Sequence, residues 1–97
     1  MRYFIERAFV VGQDDMPAIG RKSRSIIEEQ LPAITWLHSH VTVDEDGKVR
    51  TFCIYEAPNE DAVREHSRLL GYHDIVSIRE IAGDVTPEDF PLTVETV

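Results

Sequence analysis

The sequence predicts an α+β fold with six elements in the order β-α-β-β-α-β. Four stretches rich in β-branched and aromatic residues stand at 3–10, 34–43, 48–56 and 75–81. Two stretches with helical apolar spacing fall after the first and third of them. Between the second and third lies "DEDG", a tight turn in which Gly47 is free to adopt positive φ. The chain has 97 residues, the length of one domain.

"YFIERAFV" begins the fold, and "GQDD" follows as a turn. Asp14 or Asp15 can cap the first helix, and Pro17 suits its first turn, where a missing N–H costs nothing. Met16, Ile19, Ile26, Ile27 and Leu31 keep a loose helical spacing; Gly20 weakens the middle, and Pro32 ends the helix. In the second helix, Pro58 or Asn59 opens, Ala62, Val63, His66, Leu69 and Leu70 form the inner stripe, and Gly71 terminates. The plainest packing of this order is the ferredoxin-like one: an antiparallel sheet, both helices on one face, the other face uncovered. Strand 1 then lies between strands 3 and 4, and strand 3 between strands 1 and 2. Residues 1–81 form this domain. Residues 82–97 are an acidic C-terminal extension with two prolines.

Net charge is −8, which disfavours nonspecific binding to nucleic acid or to an anionic membrane. No stretch approaches the roughly 18 apolar residues of a membrane span. "MRYFIERAFV" has no apolar run with a small-residue cleavage site, so no secretory leader is expected. The lone Cys53 forms no internal disulfide. The expected location is the cytoplasm, and the expected partner is a second copy of the chain.

"ITWLHSHVTVDEDGKVRTFCIYEA" carries the candidate site. Strict alternation places Trp36, His38 and His40 on one strand face. If Val43 pairs with Lys48, Leu37 faces Ile54 and Ser39 faces Phe52 on the helix side. On the open side Trp36 meets Tyr55, His38 meets Cys53, and His40 meets Thr51. Opposed residues have Cβ atoms about 4.5–5.5 Å apart, so His38 and Cys53 could share a metal. On strand 1 the larger apolar set, Tyr3, Ile5 and Phe9, goes to the helices together with Arg7. Phe4 and Glu6 then join the open face. The candidate metal ligands are therefore His38, His40, Glu6 and Cys53, with Trp36, Tyr55, Phe4 and Thr51 lining a cleft. Imidazole suits nickel, zinc and copper, and thiolate suits the softer ions. An aromatic face of this kind is uncommon in water. Two such sheets packed face to face make a dimeric α/β barrel with a shared cleft.

Each residue also has a plainer reading. The imidazoles can line a polar cavity, Glu6 can pair with Arg7 or Arg79, and Cys53 can be a small buried apolar group. His66 reads as a core histidine on the opposite sheet face from His38. His73 reads as a loop residue, and "RKSR" at 21–24 as a solvated helix face.

"YFIERAF", "ITWLHSHVTVDEDGKVRTFCIYEAP" and "EDAVREHSRLLGYHDIVSIREI", in this order over residues 3–81, resemble a family of small bacterial proteins of largely unknown function. Some of its members are described as nickel-binding. The resemblance implies a ferredoxin-like dimer with a nickel site, and no known reaction. Members often carry an aromatic residue where this chain has His40. The leading expectation is a homodimeric protein that binds a divalent transition metal, most plausibly nickel. The second is a small dimeric α/β-barrel enzyme of oxygenase or isomerase type, with His38 or Glu6 moving a proton. The third is a module that merely dimerises.

Overall fold

The computed structural model describes residues 1–93. Four strands, β1 (Arg2–Phe9), β2 (Thr35–Val43), β3 (Val49–Glu56) and β4 (His73–Glu80), form one antiparallel sheet in the order β2-β3-β1-β4. Helix α1 (Met16–Glu29) connects β1 to β2, and α2 (Glu60–Leu70) connects β3 to β4. The expected neighbours of strands 1 and 3 are the observed ones.

Helix boundaries follow local chemistry. A 3-10 turn at Gln13–Asp15 leads into α1, where Pro17 occupies the first turn. Asp15 stands at the N-cap without a side-chain hydrogen bond. Asn59 caps α2 fully: its side chain accepts from the Ala62 amide at 2.9 Å. Gly71 ends α2 with φ of 71°, a backbone region that glycine enters without a Cβ clash. β4 starts at His73, earlier than the expected position 75, because His73 and Asp74 continue the ladder opposite Phe9 and Ala8.

Burial in β1 alternates strictly. Tyr3, Ile5, Arg7 and Phe9 are buried under the helices. The apolar core forms two clusters. One gathers Tyr3, Ile5, Ile27, Cys53, Tyr55 and Val63. The other gathers Phe9, Ile19, Ile26, Val49 and Leu70.

The β2–β3 hairpin departs from the expected register. The turn is one residue longer: the Asp44 amide donates to the Lys48 carbonyl at 2.8 Å, and Val43 pairs with Val49. His38 therefore opposes Ile54, Ser39 opposes Cys53, His40 opposes Phe52, and Val41 opposes Thr51. A bulge between Trp36 and His38 absorbs Leu37 and restores the expected Trp36–Tyr55 pair. An extra residue on one strand reverses the phase of the alternation. Trp36 consequently points to the helix side and His38 and His40 to the open side. The expected common face of Trp36 and the histidines does not form.

Beyond the sheet, residues 82–93 are exposed and include a 3-10 turn at Pro87–Asp89. Asp84 pairs with Arg2 at 2.7 Å, tying the start of the extension to β1. The last part of the extension, 94–97, lies outside the described residues. No helix is long and apolar enough to cross a membrane, among the described residues.

Gly20 sits inside α1, and a Cβ built there meets no atom within 4 Å. Gly20→Ala should therefore stabilise the fold by about 0.5–1 kcal/mol, since alanine has less chain entropy to lose in a helix. Urea unfolding at neutral pH checks this; a lower midpoint would show that the helix needs glycine there.

Candidate functional site

The sheet presents two chemically different faces. On the open face His38 and His40 lie side by side, with ring centroids 5.4 Å apart and planes at 81°. Both are exposed. Beside them Phe4 and Phe52 pack at 6.2 Å between centroids, with Ile54 half-buried on the same face. Glu6 shares this face but not the histidine cluster. Its carboxylate accepts from Arg50 Nη1 at 2.8 Å, and Arg50 also lies 3.7 Å from Asp44. The plain reading of Glu6 as half of an ion pair thus has a partner other than Arg7 or Arg79.

Four expected open-face residues lie on the helix side instead. Cys53, Tyr55 and Thr51 are buried there, and Trp36 packs on Tyr55 at 6.2 Å, its indole N–H donating to Ser39 Oγ at 2.9 Å. Cys53, Tyr55 and Thr51 pair with the inward residues Ile5, Tyr3 and Arg7 of β1, and Trp36, before the bulge of β2, shares their side. The Cys53 thiol, buried beneath the helices, does not meet His38 or Glu6. Among the described residues no group of three or more His, Cys, Asp or Glu side chains stands ready to hold a metal.

The helix side holds a polar cluster around Arg7, which is 1% exposed. Its Nε and Nη2 donate to Ser67 Oγ at 3.2 and 3.0 Å, and Nη2 also donates to His66 Nδ1 at 3.4 Å. The guanidinium carbon stands 5.2 Å from the centre of the Tyr55 ring, a cation–π contact. Because guanidinium only donates, His66 Nδ1 must accept, so Nε2 carries the proton and donates to Ser23 Oγ at 3.0 Å. Ser23 Oγ in turn lies 3.4 Å from the Tyr55 hydroxyl. Burial, then the Arg7 charge, push the His66 pKa down to about 4, which keeps the ring neutral at pH 7. Burial also raises the Tyr55 pKa against the opposing pull of Arg7.

This cluster borders a cavity of about 130 Å³ between α1, β1, β2 and β3. Arg7, Ser23, Tyr55, Thr51 and Ser39 contribute its polar wall. Thr51 Oγ1 is buried without a hydrogen-bond partner among the described residues. Arg7 and Thr51 are direct partners across β1 and β3.

The sequence places Arg7 and Ser39 on the helix side, with Arg7 only as a possible partner of Glu6, and singles out neither Ser23 nor Ser67. The signal was present: a lone arginine in an otherwise apolar strand face needs buried acceptors, and "HS" at 66–67 supplies them from the facing helix. His66 is a core histidine, as its position on the inner stripe implies, but its partners include Arg7 and Ser23 side chains. His73 belongs to β4, not to a loop; it packs on Phe9, with Nδ1 2.6 Å from the Gly71 carbonyl. In "RKSR", Lys22 reaches the Leu70 carbonyl at the end of α2, Ser23 is buried, and Arg24 pairs with Glu28.

Residues 3–81 match the model of one protein family, described as "Nickel responsive protein SCO4226-like". No curated protein and no solved structure matches the chain.

Neutral His66 carries a pH signature. A histidine whose pKa falls from 6.5 to about 4 on folding binds more protons when unfolded across that interval. Its contribution is present above pH 6.5 and is lost as pH falls toward 4. Stability should drop by about 2 kcal/mol between pH 7 and pH 5 on this account. Denaturant unfolding at both values, with His66→Gln as the reference, isolates the effect. An equal pH dependence in that variant would remove His66 as its source.

Proposed function

The chain belongs to the SCO4226-like family of nickel responsive proteins, and from that premise we propose that it binds Ni²⁺ as a ferredoxin-like homodimer. The carrying observation is the His38–His40 pair, with centroids 5.4 Å apart on the uncovered sheet face. One ion about 2.1 Å from a nitrogen of each ring fits that separation. Imidazole is a good ligand for nickel, and also for zinc and copper.

Two imidazoles leave the coordination shell incomplete. A second copy, packed sheet to sheet about a two-fold axis, would bring its own histidine pair and close a dimeric α/β barrel. The half-exposed Phe4, with Phe52 and Ile54 on the same face, supplies apolar area for that contact. Each copy carries −8, so the apolar contact works against electrostatic repulsion, and a bound cation would relieve part of it. Glu6 is held by Arg50 through Oε2 and stands apart from the histidine pair. Cys53 is left out of the ligand set, on its burial beneath the helices. The lone, unpaired thiol suits a reducing compartment, and we place the protein in the cytoplasm.

Calorimetric titration of the tag-free, metal-free protein with Ni²⁺ tests the proposal. Expected is saturable binding at one ion per two chains, weakened about tenfold or more by His38→Ala or His40→Ala. Heat that never saturates, or affinity untouched in the double variant, would sink it. Sedimentation equilibrium tests the dimer separately: Phe4→Lys should shift it toward monomer.

A further inference from the structure

The Arg7 cavity is unexplained by nickel binding, since it lies on the other side of the sheet. A guanidinium remains charged in any folded protein, and burying a charge without a counter-charge is costly. Arg7 nevertheless has no carboxylate partner among the described residues. Its acceptors are a hydroxyl, a neutral imidazole and a π face. Nε and Nη2 are engaged, and no hydrogen bond from Nη1 is found among the described residues. Across the ladder stands a buried hydroxyl without a hydrogen-bond partner among the described residues, Thr51 Oγ1. Both residues line the same cavity.

We propose that this cavity binds a small organic monocarboxylate, whose two oxygens accept hydrogen bonds from Arg7 and Thr51. A single negative charge balances a single guanidinium, whereas a dianion would leave a buried excess. Carboxylate matches the donor geometry of arginine. Phe9, Ile19, Trp36 and Leu70 make the rest of the wall largely apolar, which calls for a short aliphatic or aromatic body on the anion. The cavity volume of about 130 Å³ excludes a nucleotide or a peptide. Ser39, held by the Trp36 indole, adds a hydroxyl at the β2 side.

The test is a titration of the full chain, stripped of metal, with benzoate and butyrate, followed in ¹H–¹⁵N spectra. Saturable shifts are expected at the Thr51 amide and the Trp36 indole N–H. Benzamide, the neutral analogue of benzoate, should bind about tenfold more weakly or worse, having lost the charge-assisted bond. Arg7→Met can fail to fold, so Thr51→Val is the primary variant. Its lost hydroxyl has no protein partner among the described residues; the fold should persist while benzoate affinity falls roughly fivefold. Gly20 also lines the cavity, and a Cβ there meets no atom within 4 Å, so Gly20→Leu should fill the space and abolish binding. His38→Ala should leave benzoate affinity unchanged, which keeps this site distinct from the metal proposal. Shifts that grow without saturating, equal binding of benzamide, or unaltered affinity in Gly20→Leu would each overturn the assignment. So would loss of binding in His38→Ala, which would move the anion to the open face.

Discussion

A buried guanidinium organises this fold. Arg7 sits between the two apolar clusters of the core, at a position where alternation along β1 calls for another isoleucine or phenylalanine. A charge there is tolerated only if every neighbour is arranged for it. Ser67 from α2 takes two of its N–H groups, His66 one, and the Tyr55 ring covers the cation. Ser23 from α1 then holds the far side of His66. One arginine thereby links β1, β3 and both helices through a single polar network. Such networks are stabilising only when complete, because a partner removed leaves another buried group unmet.

The second constraint is the bulge in β2. Trp36 must lie under the helices to cover Tyr55, yet two imidazoles further along the strand suit water or a metal better than a dry interior. Without an extra residue, alternation would carry His38 and His40 inward with Trp36. Absorbing Leu37 turns them outward at the cost of leaving a leucine 43% exposed. The longer turn after Val43 keeps the rest of the hairpin paired. Both irregularities together deliver an aromatic, hydroxyl-lined inner wall and an imidazole-bearing outer one from the same nine residues.

The two faces therefore suit ligands of opposite charge. The open face offers imidazole nitrogens on an acidic protein, a donor type that suits a transition-metal cation. The inner face offers an uncompensated positive charge in a small apolar space, which favours an anion. The family description names nickel and assigns it to neither face. The sheet that separates them lets the two proposed sites be varied independently, since no hydrogen bond of the Arg7 network involves His38.

Element order, strand neighbours and the inward set of β1 were legible in the sequence because they rest on local signals: turn residues, caps and a simple alternation that β1 obeys throughout. The presence of two histidines beside an aromatic strand was legible too, as was the absence of His66 from their face. What the sequence could not reveal was phase. A bulge is a compromise between non-local demands, here the Trp36–Tyr55 contact and the solvation of His38 and His40, and no residue type at Leu37 announces it. That one-residue shift turned His38 and His40 away from Cys53, Thr51 and Tyr55, which pairing with β1 holds on the side of Arg7. The residue types that can bind a metal or an anion were determined by the chain alone. Which of them stand together was decided only when strands distant in sequence paired, because a side chain's face depends on every residue counted between it and its partner.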